Sequence, residues 1–201
     1  MNLRNILPIA LLLVVAACGK VPALPPLDGN ATVLAFGDSL TFGTGANLAE
    51  AYPAQLQGLV GHKVVNAGVP GEISEDGLAR LPAVLDEAGP KLLILCHGGN
   101  DFLRKMDEAK TIANLRAMIR LAQSRRIAVL LVATPKPGLL PAPPDFYAEL
   151  AKEFSLPLEN NVLKDILGDN NLKSDLVHPN AAGYRKMAEA VAKLLKKAGA
   201  V

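Results

Sequence analysis

Four short motifs hold residue types that could carry out acyl transfer. They are Gly37-Asp38-Ser39-Leu40-Thr41, Asn66-Ala67-Gly68-Val69-Pro70-Gly71-Glu72, Gly98-Gly99-Asn100-Asp101 and Asp175-Leu176-Val177-His178-Pro179. A serine hydroxyl is a weak nucleophile, so it needs a base such as histidine, and the base needs a carboxylate to hold its tautomer. Each motif alone is also ordinary turn chemistry, because Asp38 or Ser39 could cap a helix and Gly-Gly-Asn-Asp suits a loop. The residue types therefore leave a catalytic and a structural interpretation open.

The segments around these motifs alternate between strand and helix patterns. Short apolar runs predict strands at residues 32–37, 63–66, 91–96, 127–133 and 156–158. Helices are predicted at residues 46–59, 74–88, 107–125, 145–154 and 179–198, with Ser74 capping the second and Pro179 in the first turn of the last. Apolar strands separated by helices indicate a parallel sheet covered on both faces. We therefore expect one α/β domain over residues 31–201, a three-layer α/β/α sandwich around a mainly parallel sheet of about five strands.

The composition disfavours several classes of protein. Half of the 201 residues are hydrophobic and 20% are charged, so the chain can bury a core and is not disordered. A net charge of +2 gives no strong basic field, so nucleic acid is not an expected partner. The two cysteines cannot form a disulfide framework, and the three histidines lie far apart, without the spacing of metal ligands. We expect no metal and no cofactor.

Residues 1–17 have the pattern of a signal peptide. Residues 6–15 form a mostly apolar run after Arg4, and this run is too short to cross a membrane, which takes about 20 residues. Val15-Ala16-Ala17-Cys18 resembles a bacterial lipobox, although a chance cysteine after an ordinary signal peptide would look the same. We expect a lipid anchor on Cys18 and a proline-rich tether over residues 18–30. Because Gly19 is not an acidic retention residue, the expected place of an exported protein is the outer membrane, facing the periplasm.

All four motifs occur together, and each lies at the predicted end of a strand or start of a helix. In this combination the chain resembles the SGNH/GDSL hydrolase family over about residues 32–195. Within that family it is similar to the small bacterial periplasmic enzymes that act as acyl-thioesterase, lysophospholipase and arylesterase. The resemblance implies a flavodoxin-like fold with its site at the carboxyl ends of the strands. It also implies hydrolysis of a small acyl ester or lipid.

The resemblance assigns roles to three residues of the first and last motifs. Ser39 is the nucleophile, His178 is the general base and then the acid for the leaving group, and Asp175 orients His178. Thr41 stands where a Gly-x-Ser-x-Gly elbow would have its last glycine, so the α/β-hydrolase type of nucleophile turn is not present.

The middle motifs would supply donors for the oxyanion of the tetrahedral intermediate. The expected donors are the backbone N–H of Ser39, a backbone N–H of the second motif and the side-chain amide of Asn100. Both Gly68 and Gly71 could provide the second donor. Alignment through Asn66-Ala67 favours Gly71 and leaves Gly68 as a turn glycine.

Several other residues have more than one interpretation. His97 stands where similar enzymes more commonly have an apolar residue, so it could line the pocket, support the site or act as a rival base. Cys96 is expected to be a buried thiol rather than a nucleophile, and Asp38 and Asp101 are expected to hold loops. Residues 102–107 and 135–144 should border the acyl pocket. Four apolar side chains could form the acyl site or simply pack in the core: Phe102, Leu139, Leu140 and Phe146.

Three functions of different kinds follow from these residues. The first is a serine esterase for acyl esters or thioesters, including aryl esters and lysophospholipids. The second is a carbohydrate or peptidoglycan O-acetylesterase that uses the same residues. The third is a non-catalytic envelope lipoprotein, which the intact set of motifs disfavours. The absence of tryptophan mildly disfavours the second, because sugar sites often use aromatic faces.

Overall fold

Five parallel strands form the central sheet in the computed structural model, which describes residues 20–201. They are β1 (Thr32–Gly37), β2 (Lys63–Gly68), β3 (Leu92–Cys96), β4 (Ala128–Val132) and β5 (Leu158–Glu159). Their spatial order is β2-β1-β3-β4-β5, and every neighbouring pair is parallel. All carboxyl ends therefore lie at one edge of the sheet. The chain reverses its direction of travel across the sheet at β1, which is where ligands bind in sheets of this kind.

Helices cover both faces of this sheet. In chain order they are α1 (Ser39–Phe42), α2 (Tyr52–Val60), α3 (Ser74–Ala88), α4 (Gly99–Leu103), α5 (Glu108–Ser124), α6 (Phe146–Phe154), α7 (Val162–Gly168) and α8 (Ala181–Lys197), with a 3₁₀ turn at Leu48–Glu50. Alternate side chains of each strand enter opposite cores. Val33 and Ala35 of β1 pack with α2, α7 and α8, whereas Leu34 and Phe36 pack with α3, α5 and α6. The predicted three-layer α/β/α sandwich is confirmed.

Two helices begin at residues other than those predicted, and local hydrogen bonds explain both differences. Ser74 is the first residue of α3 rather than its cap, because its hydroxyl donates to Asp101 instead. The last helix begins at Ala181, after Pro179, because the Asn180 side chain accepts a hydrogen bond from the Gly183 N–H and caps it. In both helices, a side-chain hydrogen bond that the sequence pattern did not predict determines where the helix begins.

The segment before β1 lies against the domain. The N–H of Leu24 donates to the carbonyl of Ala198 and the N–H of Leu27 donates to that of Ala200, each at 2.8 Å. Leu24 is buried against the end of α8, and Val21 and Leu27 pack beside it. The described part of the expected tether is therefore a packed strap, since its apolar side chains find a surface to bury. The predicted signal peptide and Cys18 lie outside the described residues. Between residues 20 and 201, no helix is both long and apolar enough to cross a membrane.

Candidate active site

Ser39 is placed at the carboxyl edge of the sheet by the turn that follows β1. It is the first residue of α1, a helix of a single turn. Asp38 caps that helix, because its carboxylate accepts a hydrogen bond from the Leu40 N–H at 3.0 Å. Asp38 is buried, and this burial raises the pKa of its carboxyl group. The carboxyl group thus holds the turn that presents Ser39, as expected from its position.

His178 connects Ser39 to Asp175 through both of its ring nitrogens. His178 Nε2 lies 3.0 Å from Ser39 Oγ, and Nδ1 lies 2.8 Å from Asp175 Oδ2. The other carboxylate oxygen of Asp175 accepts the N–H groups of Val177 and His178, each at 2.8 Å. Partial burial opposes ionisation of Asp175, but these hydrogen bonds outweigh it and lower its pKa. An ionised Asp175 favours a proton on Nδ1, which leaves Nε2 free to accept the proton of Ser39.

Asn100 and the loop after β2 face the same edge. Asn100 lies in the first turn of α4, and its side-chain amide donates to the carbonyl of Glu72 at 3.0 Å. The Arg104 guanidinium donates to the carbonyl of Gly71 at 2.7 Å. These two bonds tie the second motif to α4 and to Arg104 at its end.

The two glycines of the second motif have different environments. The N–H of Gly68 donates to Asn66 Oδ1 at 3.0 Å, and a Cβ at Gly68 would lie 2.1 Å from the Phe42 nitrogen. Gly68 is thus committed to close packing of the turn against β2. Gly71 has a φ of +79°, a Cβ there would meet only the Arg104 Nη2 atom at 3.9 Å, and nothing in residues 20–201 accepts its N–H. Of the two amides, only that of Gly71 is available to a ligand.

A cavity of about 670 Å³ opens beside Ser39 and His178. Its polar wall includes Asn100, and its apolar wall includes Leu103, Leu139, Leu176 and several prolines of the loop between β4 and α6. The four apolar side chains that could have formed the acyl site differ in their positions. Phe146 is buried in the core and contacts Phe102, whereas Leu139 and Leu140 are both exposed, with Leu139 at the mouth of the cavity.

Comparisons with known proteins relate this chain to a family of hydrolases. Residues 35–186 match the model of the GDSL-like lipase/acylhydrolase family. The chain is 33% identical to thioesterase 1/protease 1/lysophospholipase L1 of Escherichia coli K12 over 173 residues, which are 82% of this chain and 83% of that protein. It is 30% identical to esterase TesA of Pseudomonas aeruginosa, over 92% of this chain and 97% of the relative. The crystal structure of TesA superposes with a TM-score of 0.74 at 31% identity, covering 83% of this chain and 99% of that one.

This chain belongs to the GDSL hydrolase family. It is an enzyme that hydrolyses ester bonds, since the family model spans the described site and the named relatives are esterases and thioesterases.

The GDSL hydrolase site has a buried support that the sequence did not reveal. Glu72 is held by Arg80, which makes two hydrogen bonds of 2.7 Å to its carboxylate, and by His97 Nε2 at 3.1 Å. The Gly98 N–H donates to His97 Nδ1 at 3.0 Å, so the proton of His97 is on Nε2 and is donated to Glu72. His97 is fully buried and does not line the cavity. Its ring holds Glu72 and does not contact Ser39.

Glu72 remains ionised despite this burial. Burial opposes ionisation, but the hydrogen bonds from Arg80 and His97 outweigh it and lower the pKa of Glu72 to about 2. Arg80 in turn lies 4.3 Å from the centre of the Phe36 ring and donates to the Ala67 carbonyl. The sequence left support of the site open as one role of His97, but it did not indicate the contacts with Glu72 and Arg80.

Two further buried groups of this GDSL hydrolase serve the structure. Asp101 accepts hydrogen bonds from the Ser74 N–H, the Ser74 hydroxyl and the Thr111 hydroxyl, so it joins α3, α4 and α5. Cys96 is fully buried in β3, and this burial raises the pKa of its thiol, which opposes formation of the nucleophilic thiolate. Within residues 20–201, no group of three or more His, Cys, Asp or Glu side chains is arranged to hold a metal ion.

Proposed function

We propose that this GDSL hydrolase is a serine esterase for carboxylic acyl esters or thioesters, with Ser39, His178 and Asp175 as its catalytic triad. The observation that carries the proposal is the continuous row of hydrogen bonds from Asp175 through His178 to Ser39 Oγ. This row ends at the mouth of an apolar cavity, where a substrate carbonyl can approach the serine. Nucleophile, base and orienting acid thus lie in the arrangement that acyl transfer requires.

The reaction proceeds in two similar halves. His178 Nε2 accepts the proton of Ser39 as Oγ attacks the carbonyl carbon, and the ionised Asp175 stabilises the imidazolium. Collapse of the tetrahedral intermediate breaks the bond to the alcohol or thiol, which receives the proton from His178. An acyl ester on Ser39 remains. Water then attacks this ester with His178 as base, and the carboxylic acid leaves with Ser39 restored.

The oxyanion of each tetrahedral intermediate needs donors that are already in place. We assign this role to the N–H groups of Ser39 and Gly71 and to the side-chain amide of Asn100. Three facts support the assignment. Gly68 has committed its amide to Asn66, the Gly71 N–H has no acceptor in residues 20–201, and Asn100 is fixed by its bond to Glu72. Fixed donors are effective because they need no reorganisation as charge develops.

The shape of the cavity favours an acyl chain over an acetyl group. A volume of about 670 Å³ with leucine and proline walls gives an apolar chain room beyond the carbonyl. The relatives are named for thioesterase, lysophospholipase and arylesterase activities, which share an acyl group and differ in the leaving group. We therefore propose acyl esters and thioesters as the substrate class, with carbohydrate O-acetyl esters as the competing class.

The test is a series of nitrophenyl esters from acetyl to palmitoyl, with initial rates for the full chain and for Ser39→Ala. We expect rates that depend on Ser39 and rise beyond the acetyl ester. A series in which only the acetyl ester is hydrolysed would favour the O-acetylesterase. Equal rates for the two proteins on every ester would contradict the serine mechanism.

We also propose that the enzyme works at a membrane, as a lipoprotein exported to the periplasm and anchored through Cys18. The support is the sequence alone: the apolar run of residues 6–15 and the small residues before Cys18. Cys18→Ser is expected to release the protein from the membrane fraction. Continued sedimentation of this variant with membranes would contradict the lipid anchor.

A further inference from the structure

Two narrow loops at the mouth of the cavity present leucines to solvent. The first joins β4 to α6 and is closed by a hydrogen bond of 2.9 Å from the Lys136 N–H to the Ala142 carbonyl. Its tip carries Leu139, with 99% of its surface exposed, and Leu140, with 87% exposed. The second loop is closed by a bridge between Lys173 and Pro179, and its tip carries Leu176, with 84% exposed. We call Leu139, Leu140 and Leu176 the leucine rim.

The leucine rim cannot easily retreat into the protein. Five prolines occupy the first loop, at positions 135, 137, 141, 143 and 144, and each fixes a backbone angle. The second loop is fixed because Asp175 and His178 on either side of Leu176 are hydrogen-bonded to each other. Scattered exposed leucines are normal, but a cluster at the tips of two stiff loops beside one cavity indicates a surface that something else covers.

We infer that the leucine rim docks on a lipid surface, so that an acyl chain passes from the lipid phase into the cavity without crossing water. This inference rests on the proposed acyl-ester hydrolysis for the reason why lipid would be bound, whereas the positions of the leucines do not depend on that proposal. Leu139 and Leu176 belong both to the rim and to the residues that line the cavity, so the rim borders the opening that leads to Ser39.

Charge near the mouth fits a lipid headgroup region. Lys173 lines the cavity, its ammonium group donates to the Leu167 carbonyl, and no carboxylate of residues 20–201 pairs with it. Lys105 lies exposed beyond the end of α4, two residues after Leu103 of the cavity wall. Exposed leucines and ammonium groups near one cavity mouth are the two kinds of side chain that favour binding at a membrane interface.

The absence of tryptophan from the chain gives a direct test. Leu140→Trp places a single fluorophore on the rim at a residue that does not line the cavity, and Ser39→Ala in the same chain prevents hydrolysis of the lipid. The matched control is Ser124→Trp, at the end of α5 and so at the opposite edge of the sheet, where β4 begins. Vesicles of phosphatidylcholine are added, with and without phosphatidylglycerol. A probe on the rim reports its own contact with lipid, whatever residues 1–19 do.

We expect the emission of the Leu140→Trp protein to shift to shorter wavelength with vesicles and to be quenched by brominated phosphatidylcholine. The Ser124→Trp protein should show neither change. If the protein floats with the vesicles but the emission of the Leu140→Trp protein stays characteristic of water, the inference is overturned. A shift that appears without lipid as protein concentration rises would assign the rim to a second copy of the chain and would also overturn it.

A kinetic readout separates this inference from the proposed function. Leu140→Ser is expected to leave the rate on a water-soluble short-chain ester unchanged and to lower the rate on lysophosphatidylcholine held in vesicles about tenfold, the effect of removing one buried leucine. Equal rates on the vesicle substrate, with hydrolysis of the soluble ester still dependent on Ser39, would overturn the docking and leave the proposed function intact. Lipid contact without any hydrolysis dependent on Ser39 would support the docking and contradict the proposed function.

Discussion

In the proposed mechanism Ser39 and His178 transfer the same proton, so their contributions to the rate are not expected to be independent. His178 Nε2 lies 3.0 Å from Ser39 Oγ, and neither group can complete the transfer without the other. Ser39→Ala and His178→Ala are each expected to lower kcat by about 10⁴-fold or more, and the double variant should lose little beyond the worse single variant. Initial rates on a nitrophenyl ester measure this, with Ser124→Ala as a control at the opposite edge. Losses that multiply in the double variant would contradict a shared step.

At the scale of single residues, the sequence predicted groups that lie in recognisable motifs and missed those that act through long-range contacts. Ser39, Asn100, Asp175 and His178 could be singled out because their neighbours in the chain are distinctive. Glu72 and Arg80 are eight positions apart around the start of a helix and look like ordinary surface charges. Their burial depends on packing against Phe36 of β1 and on His97, which follows β3, and no local pattern encodes those contacts.

At the scale of the elements, the turn from β2 to α3 separates the roles of its two glycines. Gly68→Ala would place a methyl group 2.1 Å from the Phe42 nitrogen, so we expect a loss of unfolding free energy on the order of 3 kcal/mol, or no folded protein. Gly71→Ala makes only an ordinary contact with Arg104 Nη2 at 3.9 Å, so its cost is the backbone penalty of a φ near +79°, about 1 kcal/mol. It should therefore stay folded. Alanine keeps the backbone N–H but disfavours a positive φ, so the turn is expected to shift this N–H away from the oxyanion and to lower kcat. Urea unfolding and ester hydrolysis measure the two effects. An unchanged kcat in the folded Gly71→Ala protein would contradict the expected displacement of this donor.

The buried carboxylate of Glu72 ties the same turn to α3 and to the end of β3, and its contribution to stability depends on pH. Its pKa is about 2 in the folded protein against an ordinary value of 4.5, so ionised Glu72 favours folding. This stabilisation is complete above about pH 4.5 and is lost as the pH falls towards 2. Glu72→Gln is expected to lower the unfolding free energy at pH 7 by about 2–3 kcal/mol, with the difference shrinking below pH 4.5.

The measurement is urea unfolding of both proteins between pH 7 and about pH 3, still above the folded pKa. Glu75→Gln is the matched control, because Glu75 lies exposed in the first turn of α3. A difference that stays constant over the whole range would mean that the ionisation of Glu72 does not contribute to stability.

Element types were easier to predict than element boundaries. The apolar runs of β1, β3 and β4 are distinctive because both faces of the sheet are covered, so nearly every residue in them is buried. The short helices α1, α4 and α7 were not predicted, since one or two turns give no periodic pattern to detect. Two of these, α1 and α4, position Ser39 and Asn100, so the sequence singled out these candidate residues without predicting the elements that hold them.

At the scale of the whole molecule, the N-terminal strap closes the domain against its own C-terminus. Three prolines and little periodicity suggested a free tether. Three apolar residues at intervals of three instead reach the surface at the end of α8. The contact is between the two ends of the described chain, and so it could not be predicted from either end alone.

The strap is expected to stabilise the folded domain without changing the rate of ester hydrolysis. Leu24 is buried against the end of α8, whereas α8 begins three residues after His178 and extends for 17 residues, about 25 Å. Leu24→Ala is therefore expected to lower the unfolding free energy by about 2 kcal/mol and to leave kcat on a soluble ester unchanged at temperatures where the protein is folded. Urea unfolding monitored by circular dichroism gives the first quantity and initial rates give the second.

Pro25→Ala, at an exposed neighbouring residue, is the control and should have a smaller effect on the free energy. An unchanged unfolding free energy for Leu24→Ala would mean that the strap detaches in solution, and residues 20–30 would then be the tether that their composition suggests.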